Sequence, residues 1–246
     1  MAKRATKKTA SKKTTKAKTK PKRGLIARIR RWVWRGVFAS IALIAIGLFA
    51  YKFINPPGGL YMLSEARRLG DIDRQWASME EIAPVMARSV VAAEDANFCL
   101  HWGLDVNAIR DAMEDGGTRG ASTISQQVVK NVYLWHGRSW VRKSLEALLT
   151  PAVEAVWTKR RIIEVYLNVA EFDEGVFGVD AAAYHYFQKR PSELTAVQAA
   201  RLAAVLPNPK GRSASRPSNF VRKRAASIVD GAATIKADGR ARCFES

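Results

Sequence analysis

Histidine and cysteine are scarce in this chain of 246 residues, which has three His (His101, His136, His185) and two Cys (Cys99, Cys243). Two thiols exclude a disulfide framework and any multi-thiolate zinc or iron–sulfur site, and three scattered imidazoles give no basis for a His-rich centre. No metal site is expected. Nothing in the sequence pairs the two distant Cys, so Cys99 is expected as a small buried residue rather than half of a disulfide. Strand-like alternation is also scarce and no internal repeat is visible, so the remaining periodicity is helical. Acids are missing from the first 35 positions, which hold nine Lys and six Arg. That stretch supplies +15 of the formal +19, leaving +4 for the other 211 residues, so the body lacks the charge expected of a nucleic-acid binder.

What is present begins with that basic tail. It is rich in Lys, Thr and Ala and nearly free of apolar residues before Leu25, too polar to bury a core, and residues 1–35 are expected to be disordered. An uncharged run from Gly36 to Tyr51 follows. Its sixteen residues would rise about 24 Å as a helix, and a snorkelling Lys52 would extend the span through Ile54 to roughly 28 Å, close to a bilayer core. Trp32 and Trp34 before the run, with Tyr51 and Phe53 after it, resemble interfacial anchors. Pro56-Pro57-Gly58-Gly59 stops the helix. A cleaved signal peptide would have a shorter basic region and a small-residue cleavage site. The pattern therefore implies one membrane anchor with a cytoplasmic N-terminus and a body on the far side, the periplasm in a bacterium. The tail then serves as an orientation signal that also grips anionic lipid.

Pro84 can open a helix on which Met86, Val90 and Glu94 fall at i, i+4 and i+8, ending an apolar stripe on a carboxylate. Residues 104–121 suggest a short helix and then a mobile loop with Gly116, Gly117 and Gly120 beside Arg119. Residues 122–135 suggest a two-faced helix. Ile124, Val128, Val132 and Trp135 lie on one side, and Ser122, Thr123, Gln126, Gln127 and Lys130 on the other. Residues 139–157 suggest another helix, with Leu145, Leu148, Leu149, Ala152 and Val156 as its core stripe and a bend at Pro151. Residues 159–168 give a further amphipathic segment. Thr195 and Gln198 match a capping box that opens a helix ended by Pro207 and Pro209. The architecture expected is mainly helical.

Three groups could carry chemistry. Glu94 and Asp95 end an apolar face, and desolvation there raises a carboxylate's pKa toward that of a useful base. Gln126, Gln127 and Lys130 form a polar helix face. Arg138, Arg142 and Lys143 lie just ahead of Glu146. Two carboxyls and several fixed cations suit glycosyl transfer from a diphosphate-activated donor, one acid taking a proton while the cations stabilise the departing diphosphate. The same residues also admit plainer readings, with Glu94 and Asp95 on the surface, Arg142 and Lys143 as ordinary helix partners of Glu146, and Ser122 or Thr123 as caps. On residues alone, two rival functions stay open: a lysozyme-like glycan-cleaving enzyme, and a non-catalytic membrane scaffold whose tail binds polyanions.

Five segments in order narrow the choice: EDANFCLHWG (94–103), RGASTISQQVVKN (119–131), RKSLE (142–146), KRRIIEVYLN (159–168) and AAAYHYFQKRPSELTAVQAARLAAVLPNP (181–209). Together they resemble the motifs of the peptidoglycan glycosyltransferase family, which includes the transferase domains of class A penicillin-binding proteins, and most resemble its monofunctional, membrane-anchored branch. The likeness covers about residues 60–230. It implies a lysozyme-like, two-lobed helical domain that polymerises lipid II into β-1,4-linked strands, inverts the anomeric carbon and releases undecaprenyl diphosphate. By this likeness Glu94 is the general base on the acceptor 4-hydroxyl and Glu146 the second catalytic acid. Ser122, Gln126, Gln127, Lys130, Asn131, Arg138, Arg142 and Lys143 contact substrate, while Glu164, Tyr166 and Asn168 are structural. No cofactor is required, and stimulation by divalent cations is left unassigned. The expected partners are lipid II, the growing lipid-linked glycan, the membrane and other cell-wall synthesis proteins, with no nucleic acid. Leu60, Tyr61 and Met62 are expected to dip into the interface. Many relatives carry a Lys near the Leu-Pro stretch where this chain has Val205-Leu206-Pro207-Asn208-Pro209, and Lys210 is assigned no role. The expected organisation is a tail (1–35), an anchor (36–54), a juxtamembrane linker (55–78) and the catalytic domain (79–246).

Overall fold

A computed structural model describes residues 24–114, 122–137 and 139–245. The chain divides into two units, 1–43 and 44–246. The helix α1, Leu25–Ala50, begins in the first unit and ends in the second. It is the one described helix long and apolar enough to cross a membrane, and its 26 residues rise about 39 Å. Two expectations change here. Residues 25–35, expected as disordered tail, are helical, because Leu, Ile, Ala, Trp and Arg favour helix once the Lys/Thr stretch ends. The helix also stops at Ala50, not Ile54, and Tyr51–Phe53 form a turn.

The segment after that turn is part of the body. Proline has no backbone N–H and ends the helix, so carbonyls around the Pro-Pro pair find no helical donor and arginines take them instead. Arg74 donates to the carbonyls of Pro56 (2.8 Å) and Pro57 (2.5 Å), and Arg161 to those of Tyr51 (3.0 Å) and Ile54 (2.9 Å). Residues 55–78, expected as a linker, contain α2 (Leu60–Leu69) and strand β1 (Asp73–Arg74), with Met62 and Ala77 buried in the core.

Helices then dominate: α3 (Pro84–Glu94), α4 (Val106–Glu114), α5 (Ile124–Tyr133), α6 (Trp140–Val156) and α7 (Lys159–Val169). Strands β2 (Glu171–Asp173) and β3 (Val176–Phe177) follow, and a small sheet of order β1-β3-β2 pairs β3 parallel to β1 and antiparallel to β2. The chain closes with α8 (Val179–Phe187), α9 (Ala196–Val205), α10 (Asn219–Ala237) and α11 (Arg242–Glu245). Beyond α1, the longer helices open on recognisable caps. Pro84 occupies the first turn of α3. Capping boxes Thr123/Gln126 and Thr195/Gln198 open α5 and α9. Ser139, Thr158 and Ser218 cap α6, α7 and α10.

Packing sorts these helices into two groups. In one, α3, α9 and α10 pack against each other; in the other, α5 lies against α6 and α7. Phe98, Phe172, Phe177, Tyr166, Leu167 and Leu202 are fully buried in the shared core. The expected core stripe of α6 is reversed in part. Leu148 is 73% exposed and Leu145 is exposed, as are Trp140 (88%) and Val141, while Glu146, Thr150, Val153 and Glu154 are buried. The polar residues have partners that make burial tolerable. Glu154 accepts from Ser125 (2.5 Å) and pairs with Lys159 (2.8 Å), and Thr150 donates to the Glu146 carbonyl (2.7 Å). Leu149, Ala152 and Val156 pack against the core as expected, and α6 runs unbroken through Pro151.

The two Cys are bonded, Cys99 to Cys243, across 144 residues with Cα atoms 5.8 Å apart. The expectation of an unpaired, buried Cys99 is therefore corrected. Folding of the C-terminal segment back onto the turn after α3 brings the two together, a contact that sequence distance conceals.

Candidate active site

Helix α3 delivers Glu94 at its last position, where the apolar stripe Met86 and Val90 ends. The carboxylate is half-buried and accepts a hydrogen bond from Gln127 Nε2 of α5 (2.8 Å). Gln127 is itself oriented from behind, since its Oε1 accepts from the buried Tyr166 hydroxyl (3.3 Å). Burial raises the Glu94 pKa, and the Gln127 hydrogen bond, Arg224 and Lys130 offset part of that rise. The neighbouring Asp95 does different work. Its two oxygens contact His101 Nε2 (2.8 Å) and the backbone N–H of Ile124 (3.0 Å), which ties the end of α3 to the start of α5.

One helical turn past Gln126 and Gln127, Lys130 reaches the same region. Burial lowers its pKa, and Glu146 and Glu94 pull it back up while Arg142 and Lys143 push it down. Lys130 is therefore in electrostatic reach of both acids and both cations. On α6, the buried Glu146 (3% exposed) accepts from Arg142 (2.6 Å) and Lys143 (2.5 Å). Lys143 also donates to Ser122 Oγ (3.1 Å), and Arg142 to the Gly137 carbonyl (3.0 Å). Ser122, Lys130, Arg142, Lys143 and Glu146 thus gather from three segments.

A cavity of about 350 Å³ opens beside them, lined by Gln127, Lys130, Asn131 and Tyr166, among others. Asn131 Oδ1 contacts His136 Nε2 (3.1 Å). Gly59 sits so close to the Asn131 carbonyl that a Cβ there would lie 1.7 Å from it, so α2 can start here only on glycine. Gly103 of the first motif (φ +83°) likewise lies against Thr150 and Glu154 of α6.

Several expected placements differ. Gln126 is buried and uses its Oε1 on the Thr123 N–H (3.0 Å), completing the cap of α5 instead of facing the cavity. Arg138 lies outside the described residues, as do Gly116, Gly117, Arg119 and Gly120 of the expected loop. Glu164 and Asn168 hold structure, as expected. Asn168 brackets the backbone of Ala77 at both N–H and carbonyl (2.8 Å each), and Glu164 accepts from Trp76 (3.3 Å) and pairs with Arg161 (3.1 Å). Met62 is buried, whereas Leu60 is exposed.

The far wall of the cavity was not evident in the sequence. It contains Tyr61, His136, Glu171 and Lys210. Tyr61 donates to Glu171 (2.7 Å), and the rings of Tyr61 and His136 stack 3.7 Å apart. Lys210 pairs with Glu65 (2.8 Å) and lies 3.7 Å from Glu171. Burial and Glu171 push the Tyr61 phenol to about 12, and burial with nearby cations pushes His136 down to about 4, so both rings are neutral near pH 7. The one sequence signal was Lys210, displaced from the place where many relatives carry their Lys. Among the described residues no group of three or more His, Cys, Asp or Glu is arranged to hold a metal.

With that geometry in view, a family model described as Transglycosylase matches residues 62–233. The chain is 61% identical over 216 residues to a biosynthetic peptidoglycan transglycosylase of Jannaschia sp. (strain CCS1), covering 88% of this chain and 90% of the relative. It is 49% identical over 213 residues to one of Pectobacterium carotovorum subsp. carotovorum (strain PC1), covering 82% and 87%. Against one of Yersinia pestis (strain Pestoides F) it is 49% identical over 207 residues, covering 78% and 86%.

Proposed function

The chain belongs to the transglycosylase family, and we propose that it polymerises lipid II into the β-1,4-linked glycan of peptidoglycan. The observation that carries this reading is the pair of acids sharing one cationic neighbourhood: Glu94 on Gln127, and Glu146 between Arg142 and Lys143, with Lys130 in reach of both.

In the proposed reaction Glu94 takes the proton from the acceptor's 4-hydroxyl as that oxygen bonds to the donor's anomeric carbon. The bond from that carbon to the diphosphate breaks on the opposite face, so the configuration inverts. The electron pair leaves on undecaprenyl diphosphate, and Glu94 later gives its proton to solvent. Its raised pKa suits it to the first step, because a base works best with a pKa near the working pH. Lys130, Arg142 and Lys143 stabilise the charge growing on the leaving group. Glu146, already neutralised by two of those cations, holds them at the right place. Ser122 extends that grip through Lys143, while Gln127 and Asn131 line the donor side. The proposed chemistry runs on side chains, without a cofactor. Cleavage of finished glycan needs no such group of cations, so it is the weaker reading.

The setting follows from the substrate. Lipid II and the growing strand are both held in a bilayer, and an anchored enzyme searches a thin layer instead of a volume. We place the N-terminus in the cytoplasm and the body beyond the inner membrane, from the fifteen cations ahead of the apolar run and the Cys99–Cys243 disulfide, which persists in an oxidising space. The exposed Trp140, Val141 and Leu148 of α6 would meet lipid. The test is to incubate the full chain with labelled lipid II and, separately, with finished glycan strands. Long strands and free polyprenyl diphosphate from lipid II are expected; shortened strands with no lipid II turnover would overturn the reading.

A further inference from the structure

The turn that follows Glu94 is also held by a segment outside the family-matched residues 62–233. Residues 238–245 fold back from α10 and grip that turn at several points. Cys243 is bonded to Cys99. Phe244, fully buried, packs on the fully buried Phe98, ring centroids 6.2 Å apart. Arg240 donates to the Ala96 carbonyl (3.0 Å). Glu245 is ion-paired with Arg88 of α3, and the Phe244 carbonyl accepts from Arg160 of α7 (3.2 Å). From α10 itself, Arg224 donates to the Ala93 carbonyl (2.9 Å), the residue just before Glu94.

We propose that this C-terminal clasp, closed by the Cys99–Cys243 disulfide, is a positioning element that fixes Glu94 for proton abstraction. The inference rests on the reading of Glu94 as the base. Glu94 is the last residue of its helix, where backbone order ordinarily falls away. Its orientation therefore depends on what holds the turn beyond it. Asp95 binds the Ile124 N–H of α5, and the clasp takes the Ala96 carbonyl, the Phe98 ring and Cys99. With the turn fastened in this way, the half-buried carboxylate is presented to Gln127. With the clasp open, the turn moves, Glu94 becomes more exposed to water, and its raised pKa relaxes downward. The donor cations Lys130, Arg142 and Lys143 stand on α5 and α6, where Arg142 and Lys143 are held by Glu146. Opening it should thus harm the chemical step and spare binding, and it makes full activity conditional on an oxidised chain. Reduction by a dithiol is balanced: two protein thiols form, and the reagent becomes a cyclic disulfide.

The experiment compares the full chain in detergent micelles as oxidised wild type, dithiol-reduced wild type, Cys243→Ser, Arg240→Ala and Glu94→Gln, each assayed on lipid II well below its melting temperature. Reduced wild type and Cys243→Ser should lose roughly tenfold or more in kcat, since small misplacement of reacting groups is expensive. KM for lipid II should stay within about twofold, because binding contacts are intact. The acid limb of the pH–rate profile should move to lower pH, and reoxidation should restore both. Arg240→Ala should change the same quantities by a smaller factor. A lowered melting temperature with wild-type kcat and pH profile in the reduced protein would overturn the proposal, leaving the disulfide a purely structural brace. If Cys243→Ser does not fold, reduced wild type and Arg240→Ala decide the matter by the same criterion. A fully active Glu94→Gln would overturn the base assignment itself, and the positioning role with it.

Discussion

Lys130 is the residue on which both acids converge electrostatically, and it is also the one whose own charge is made costly by burial. Such a group is best occupied when an anion arrives beside it. Lys130→Ala is expected to lower kcat/KM for lipid II by roughly 10²-fold or more, the scale of losing one preorganised charge partner; steady-state turnover at sub-saturating lipid II checks it, and unchanged turnover counts against the donor role. Glu65, paired with Lys210 of the cavity wall, makes a different prediction. Its hydrogen bonds from Arg68 and Lys210 hold its carboxyl down from 4.5 to about 2. A depressed folded-state pKa contributes stability above the unfolded value, and that contribution is lost as pH falls from about 4.5 through about 2. Denaturation followed over that range should show a shallower loss for Glu65→Gln than for wild type. Glu94 was readable in the sequence because it ends an apolar stripe at helical spacing. Tyr61, His136, Glu171 and Lys210 were not, since they come from α2, the α5–α6 connection, β2 and the stretch after α9, and meet only in the folded chain.

At the scale of helices, caps and turns were the dependable signals. Thr195 and Thr123, both read as caps in the sequence, cap α9 and α5, and Ser139, Thr158 and Ser218, not singled out there, cap the helices they precede. Faces were less dependable, and α6 shows why. Periodicity assumes that apolar residues point inward, which holds where water lies outside. On α6 the inward positions are taken by Glu146, Thr150, Val153 and Glu154, which build the site and its support, and Leu145 and Leu148 are left outside. This arrangement has a measurable consequence. In detergent, Leu148→Ala should change stability by less than about 0.5 kcal/mol, as surface positions do. Leu167→Ala, in the fully buried part of α7, should cost about 2–5 kcal/mol. Thermal or urea denaturation of the two variants checks this, and equal losses would contradict the inverted face.

Across the whole molecule, the mainly helical class and the ordered motifs were visible in the sequence, and long-range closure was not. The disulfide joins residues 144 apart, and residues 55–78 proved to be body, because Arg74 and Arg161 capture carbonyls of the Pro-Pro stretch and the preceding turn. Neither pairing leaves a local trace. The proposed anchored enzyme, with one acid to take a proton and a cluster of cations to receive a diphosphate, accounts for the apolar helix, the cavity and the charge placement together. The most direct measurement is strand formation from labelled lipid II by the purified full chain and by Glu94→Gln, with circular dichroism establishing equal folding. The variant should be slower by about 10²–10⁴-fold, the usual worth of a general base. Strands made by Glu94→Gln at the wild-type rate would contradict the account.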